Sequence, residues 1–350
     1  MRRPIPFRTP FLVALLATLA LACAAAEGDG GGDDGHSAGL EPTSPEQGYV
    51  GPEAVVPPSG SVTGAAAPVR AEDFERVEDP RLAAVLRAGP RIYSGAVPVG
   101  PEAFQALAEL GVTTVVCVDG ARPDVDAAAA VGLRYFHVPI GYDGVDEGAR
   151  AAIVRILEET EGPIFFHCHH GHHRGPAAAA VALRALGADA DTARAFLVAA
   201  GTSPDYPGLW RDVASFTPPS PGEVAAVRLS AVAEVEDFAA GMAQLDRIWD
   251  GVRILADAGW TTPLDHPDLD PDHQPVLVRQ ALEACAEATP ERWSSEEEFR
   301  RQMRRAVERA FALESAAAAG DAAGADAAFR ALKRTCMSCH DTYRDGEDLP

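Results

Sequence analysis

From Thr217 to Gly222 the chain reads Thr-Pro-Pro-Ser-Pro-Gly, and neither a helix nor a central strand runs through three prolines in so short a span. The break separates two stretches with different grammars. Over about residues 71–216 short β-favouring runs alternate with helical periods, and beyond the break the strand signals vanish. A chain of 350 residues has room for two ordinary domains plus extensions. The expected fold class is therefore multidomain: an α/β domain at 71–216, a proline-rich linker at 217–223 and an all-α domain at 224–350.

In the first region the β-favouring runs are Arg91 to Gly95, Thr113 to Val118, Arg134 to Val138 and Pro163 to His167. Helical stretches lie between them at Pro101 to Leu110, Asp124 to Ala130 and Val145 to Glu159. Three more follow, at Pro176 to Leu186, Asp191 to Ala200 and Pro207 to Ser215. This order predicts a sheet with helices on its faces.

Directly after the last strand run comes His167-Cys168-His169-His170-Gly171-His172-His173-Arg174-Gly175-Pro176, then an alanine-rich helix. A loop of successive backbone N–H groups leading into a helix N-terminus makes an anion nest, and Gly171 permits the backbone turn that such a nest needs. The same field favours a thiolate at Cys168, a nucleophile at the base of the nest. Arg174 is able to hold two phosphoryl oxygens in a fork. Neutral imidazoles at His169, His170, His172 and His173 could bind a transition metal. A loop wrapped around an anion, however, points successive side chains outward in different directions. These histidines, with Gly171, are therefore read as substrate-binding residues that set charge preference rather than as a zinc site.

At these residues the sequence resembles the cysteine-dependent protein tyrosine and dual-specificity phosphatases, whose signature is HCxxGxxR; the likeness covers roughly residues 85–216. His167, Cys168, Gly171 and Arg174 all match. Gly175 departs, because the family usually has serine or threonine there to help the thiolate leave during hydrolysis of the phosphocysteine. The departure implies slow turnover. The resemblance also implies an aspartate general acid on a preceding loop, here Asp143 in Pro139-Ile140-Gly141-Tyr142-Asp143-Gly144, with Asp146 as the fallback. Rhodanese-like sulfurtransferases also use a cysteine-based anion loop at a strand end, but the five-residue gap and Asp143 argue for the phosphatase. Cys117 ends another strand run and reads either as a small buried hydrophobe or as a redox partner of Cys168. Some phosphatases of this class carry a cysteine in that strand region that forms a reversible disulfide with the nucleophile.

After the break four helical stretches remain, at about Val224 to Ala258, Pro271 to Ala288, Ser295 to Ala319 and Asp321 to Arg344. Long helices with short joins predict an antiparallel four-helix bundle. The last stretch carries Cys336-Met337-Ser338-Cys339-His340. Cysteines three apart share one helical face, where both can add to the vinyl groups of a heme, and His340 reaches the iron as an axial ligand. Zinc would need two further ligands, and there is no second CxxC pair. The cofactor expected is heme c.

The run from Cys336 to Arg344 resembles the last helix of cytochrome c-prime and other class II cytochromes c, which end in CxxCHxx(Y/F)R. The resemblance implies a four-helix bundle in which Arg344 sits near a heme propionate. It also implies that the far side of the iron faces the first helix, where a methionine gives an electron carrier and an apolar residue a five-coordinate iron. Met242 and Phe238 are both candidates there, and Met242 reads equally as a distal ligand or as core packing.

The first 22 residues read as an export signal: Arg2, Arg3 and Arg8 flank an apolar run from Phe11 to Ala22 that is short for a membrane span. Two fates fit its end, ordinary cleavage after Ala20-Leu21-Ala22 or lipidation of Cys23, which would anchor the chain to a membrane facing the periplasm. Residues 23–70, rich in Gly, Asp, Pro, Ser and Ala, lack the apolar surface to offset chain entropy and read as a tether. Net charge is -22 and Lys333 is the sole lysine, so the chain has no basic stripe for a nucleic-acid partner. The partners expected are a phosphorylated substrate or other anion and a redox protein. The whole reads as an exported phosphatase-like protein fused to a heme c domain. The alternatives are an electron-transfer protein with an inactive anion site and a gas-sensing heme module.

Overall fold

Alternation along the strands fixes how the first domain is layered. In the computed structural model, which describes residues 69–345, Val115 and Cys117 of strand β4 (Thr114–Cys117) face one core cluster and Val116 and Val118 face another. Strand β6 (Ile164–His167) does the same, with Phe165 on one face and Phe166 on the other. A sheet apolar on both faces must be covered on both. Helices α1 (Gly100–Glu109) and α2 (Val125–Ala130) supply Phe104, Leu107 and Ala128 to one layer. The other layer is built by α3 (Glu147–Glu159), α4 (Arg174–Ala185), α5 (Ala190–Ala200) and α6 (Pro207–Ala214).

Six strands form the sheet in the order β1-β2-β3-β6-β4-β5, with β1 (Phe74–Arg76), β2 (Leu86–Ala88), β3 (Ile92–Gly95) and β5 (Arg134–His137) completing the set. β3, β6, β4 and β5 run parallel, while β1 and β2 add an antiparallel hairpin beside β3. β6 is therefore central. Its C-terminal end lies among the ends of the other parallel strands, where open α/β sheets gather their ligands. α4 packs closely on β3 and β6 because Ala177, Ala178, Ala179, Ala180 and Ala182 are all fully buried, and their methyls set the approach distance.

The proline-rich stretch does not behave as a free linker. Ser220 and Glu223 form a capping box that starts a short helix, α7 (Pro221–Ala226), whose Val224 is buried and which packs on α3. Val227 and Leu229 then pack on the α/β core, and the carbonyl of Ser230 accepts from the N–H of His137 on edge strand β5 at 2.9 Å. The expected helix from Val224 to Ala258 is thus corrected: its first third is captured by the sheet edge, and the bundle begins with α8 (Asp237–Asp257). The domain boundary moves with it, to the residues just before α8.

The bundle continues with α9 (Gln274–Glu287), a single turn α10 (Glu291–Ser294), α11 (Glu297–Ala318) and α12 (Ala322–Tyr343). Its core is a separate cluster that includes Val252, Leu255, Leu282, Phe299, Leu313 and Leu332. α8 packs on α9, α9 on α11 and α11 on α12, whereas α8 and α12 do not approach closely along their backbones. Large side chains span that fourth seam, Trp249 stacking on Phe329 with centroids 4.8 Å apart. No helix among the described residues is long and apolar enough to cross a membrane. The export signal, Cys23 and nearly all of the tether lie outside the described residues.

Candidate functional site

Cys168 leaves β6 at the centre of the sheet and is buried at 3% exposure. The chain then turns through Gly171 at φ +76°, and a Cβ there would strike the backbone of Gly95 and Ala96 at the end of β3. Glycine is required twice over, by conformation and by space. Val97 N–H donates to the carbonyl of His169 at 3.1 Å, tying the loop to the neighbouring strand end. α4 starts at Arg174 without a side-chain cap, so its first N–H groups keep their capacity for an anion.

Arg174 is buried, with its guanidinium carbon 4.4 Å from the centroid of the Tyr142 ring and Nη2 3.6 Å from Oδ1 of Asp119. Its Nε is buried and has no hydrogen-bond partner among the described residues. Asp119 follows β4 and is 1% exposed; its Oδ2 lies 3.2 Å from Arg247 of α8. Desolvation works to raise its pKa, and Arg174 and Arg247 overcome that, holding the carboxyl below its usual range. Sequence reasoning assigned Asp119 no role, because the arginine that completes its pairing is 128 residues away.

His167 lies against Tyr135, whose hydroxyl is 2.5 Å from Nε2, and burial pushes its imidazole down to about 4. The four loop histidines do not all point apart as expected: two turn away from each other and two turn the same way. His172 Nδ1 bonds the carbonyl of Ala200 at 2.9 Å, and His173 packs edge-on against Tyr206, where burial lowers its pKa to about 4. His169 and His170 instead converge on one carboxylate, that of Asp250 on α8.

Tyr142 under Arg174 brings the loop at 139–144 to the anion nest, and Asp143 is the next residue, exposed, with its carbonyl accepting from Arg211 at 3.0 Å. Asp146 is the N-cap of α3, accepting from Ala149 N–H at 2.7 Å, which commits the fallback carboxylate to helix structure. Gly175 faces the strand end: a Cβ there would lie 3.0 Å from the nitrogen of Cys168. Cys117, read from sequence as either a buried hydrophobe or a redox partner of Cys168, is fully buried. It packs with Tyr135 and Phe165 on one face of the sheet, whereas Cys168 packs with Phe166 on the other, and burial raises the Cys117 thiol to about 12.

In the bundle, Cys336 and Cys339 of α12 pack against the core, as do Phe238, Met242 and Leu245 of α8. These residues come from the two helices that flank the open seam. Burial raises both thiols to about 11 and lowers His340 to about 4, so two thiols and a neutral imidazole sit together in an apolar setting. That donor set, on one helix beside a widened seam, fits a covalently held heme. Phe238 is engaged with Trp293 and Phe299, so Met242 keeps the more adaptable side chain of the two candidates. Arg344, read from sequence as a neighbour of a heme propionate, caps the end of α12. It pairs with Asp345 at 2.7 Å and stacks 4.7 Å from the centroid of Tyr142, facing the α/β domain.

Comparison with known proteins follows the same division. A family model described as Cytochrome C' matches residues 278–344. The cytochrome c' of Pararhodospirillum photometricum is 40% identical over 62 residues, covering 18% of this chain and 50% of that protein. The dual specificity protein phosphatase TpbA of Pseudomonas aeruginosa is 30% identical over 112 residues, covering 31% of this chain and 49% of that protein. The chain thus spans about half the length of the curated relatives it matches. A crystal structure of P. aeruginosa TpbA in complex with pTyr aligns with a TM-score of 0.33 and 24% identity, over 41% of this chain and 97% of that one. A phosphatase-like α/β domain is followed here by a cytochrome c'-like helical domain.

Proposed function

We propose that this chain is an exported phosphomonoester hydrolase that works through a phosphocysteine and carries a heme c electron-transfer domain. The observation that supports it most is the placement of Cys168, Gly171 and the buried Arg174 around one uncapped helix start at the end of the central strand. In this reading the Cys168 thiolate attacks phosphorus, and an S–P bond forms as the ester P–O bond breaks. Asp143 gives its proton to the leaving oxygen. Water then attacks phosphorus and gives a proton back to Asp143, the S–P bond breaks to restore the thiolate, and inorganic phosphate leaves. Arg174 and the loop N–H groups hold the equatorial oxygens as charge develops on them.

Cys336 and Cys339 would hold the heme, His340 would ligate its iron and Met242 is the candidate for a second iron ligand. A heme held there supplies an iron able to pass an electron. The chain's own contribution is an apolar seam and one imidazole beside the two thiols. Export with the heme domain facing the periplasm follows from the leader, and lipidation at Cys23 would add an anchor.

A second reading, an anion-binding redox protein without turnover, is favoured by two observations. Gly175 provides no hydroxyl for the departing thiolate, and α8 sets the carboxylates of Asp246 and Asp250 beside the loop. Release of phosphate from an aryl phosphate by the full chain decides between them: turnover lost in Cys168→Ser supports the hydrolase. Absence of turnover together with tight binding of vanadate or phosphate supports the second reading.

A further inference from the structure

His169 and His170 are consecutive in the anion loop, yet both rings turn to the same carboxylate. His169 Nε2 lies 2.9 Å from Asp250 Oδ2 and His170 Nε2 lies 3.2 Å from the same oxygen. The two rings are 4.2 Å apart between centroids, and one ligand atom from each of the three residues falls within 4.8 Å of the others. Tetrahedral bonds of about 2.0–2.2 Å to nitrogen and oxygen place ligand atoms roughly 3.3 Å apart. The two nitrogen–oxygen separations need to open by only a few tenths of an ångström, and the two ring nitrogens lie within 4.8 Å of each other.

The surroundings are those of a ligand set. Asp250 presents Oδ2 to the imidazoles while Oδ1 is held at 3.0 Å by Arg253, so the carboxylate is oriented from behind. Nδ1 of His170 faces Asp246 at 4.0 Å, an acidic partner on the far side of the ring such as metal-bound histidines commonly have. Nδ1 of His169 is buried without a partner among the described residues, which leaves Nε2 as the working atom of that ring. His169 is largely buried and His170 and Asp250 are half-buried, so the cluster is shielded yet reachable.

We propose that His169, His170 and Asp250 form a site for one divalent transition-metal ion of the zinc class, joining the anion loop to α8. Two imidazoles with one carboxylate select such an ion over magnesium or calcium, which prefer all-oxygen shells. The fourth position is left for water or an exogenous anion. Because the ligands come from both domains, an ion there pins the loop after Cys168 to the bundle. The site stands whether or not Cys168 turns over a phosphoester.

The test is zinc content of the purified full chain, incubated with Zn²⁺ and freed of excess by gel filtration, with X-ray absorption at the zinc edge. The expected result is one zinc per chain with a shell of nitrogen and oxygen only, undisturbed by millimolar Mg²⁺. Asp250→Asn and His170→Ala should each weaken binding by more than the roughly 10- to 100-fold that loss of an outer partner costs. Arg253→Ala should retain zinc. No retained zinc, equal retention in folded Asp250→Asn, or sulfur in the zinc shell would overturn the proposal, the last assigning the ion to a cysteine. The absorption spectrum of the wild-type chain decides the matter even where a variant fails to fold.

Discussion

Asp119→Asn is the substitution whose consequences the structure specifies most fully. The carboxylate is 1% exposed and neutralises two guanidiniums, Arg174 at 3.6 Å and Arg247 at 3.2 Å. At an effective dielectric near 20, each pair carries a gross attraction of about 5 kcal/mol. Desolvation of three charges offsets much of that, so the attraction is not the net cost. The asparagine keeps the shape but leaves two cations facing a neutral amide, and loss of one partner from a buried pair costs about 3–5 kcal/mol. At about 2–4 °C per kcal/mol, thermal unfolding of the full chain followed by circular dichroism should fall by roughly 6–20 °C. The sign of the pH dependence follows from the depressed carboxyl. Its stabilisation is complete above its unfolded pKa near 4 and is lost as pH falls through the lower folded value. The gap between wild type and Asp119→Asn should therefore be constant from pH 5 to 7 and shrink below about pH 4. A variant that melts within 2 °C of wild type at neutral pH, on the order of one kcal/mol or less, would refute the reasoning.

Other expectations follow from the same geometry. Cys168→Ser should abolish aryl phosphate hydrolysis, and Asp143→Asn should slow substrates with poor leaving groups by about 100- to 10,000-fold while sparing nitrophenyl esters, as steady-state kinetics would show. Gly175→Ser should speed breakdown of the phosphocysteine, seen as a smaller burst and faster turnover, at a stability cost of about 1–3 kcal/mol, because its Cβ would press to 3.0 Å from Cys168 N. Heme should stay with the chain through acid–acetone extraction, and Cys336→Ala or Cys339→Ala should leave a single thioether that gives a shifted absorption band. Ala179→Leu, at a fully buried site between α4 and the sheet, should destabilise by about 1–3 kcal/mol through overpacking, measurable by urea unfolding.

The elements that could be read from the chain are those whose neighbours are local or whose pattern is long. All four parallel strands fall within a residue or two of the β-favouring runs, because each centres on β-branched or aromatic residues: Ile92-Tyr93, Val115-Val116, Tyr135-Phe136 and Phe165-Phe166. The hairpin of β1 and β2 was not legible: three residues each, with Glu75, Arg76 and Arg87 among them, give no period to detect. The stretch from Val227 to Glu236 looks helical in isolation because Val227, Val232 and Val235 continue an apolar pattern, but the free edge of β5 offers it backbone partners instead. At the site, Cys168, Gly171 and Arg174 were legible because their chemistry depends on spacing within one loop. Asp119, Arg247 and Asp250 were not, since each acquires its role only when the two domains dock.

That docking bears on how the anion site is to be understood. Two guanidiniums lie over the Tyr142 ring, Arg174 of the loop at 4.4 Å and Arg344 at the end of α12 at 4.7 Å from its centroid. Arg344 is four residues beyond His340, and its backbone N–H closes the last helical turn onto the His340 carbonyl at 2.9 Å. The loop that bears Asp143 is therefore contacted both by the anion-loop arginine and by the end of the helix that carries the CxxCH run. Stacking of this kind contributes about 0.5–2 kcal/mol per contact, enough to bias a short exposed loop but not to lock it. Asp119 repeats the arrangement on the next strand, with one arginine from each domain, and Gly120 beside it passes so close to α8 that a Cβ would sit 3.3 Å from the Ala239 carbonyl. Severing the chain before α8 would remove Arg247, Asp250 and Arg344 together. The acid loop, the arginine clamp and the histidine pair would each lose one of their two supports. An α/β domain expressed alone is for that reason a different site from the one in the whole chain, and turnover measured on it would speak for the loop chemistry but not for its setting.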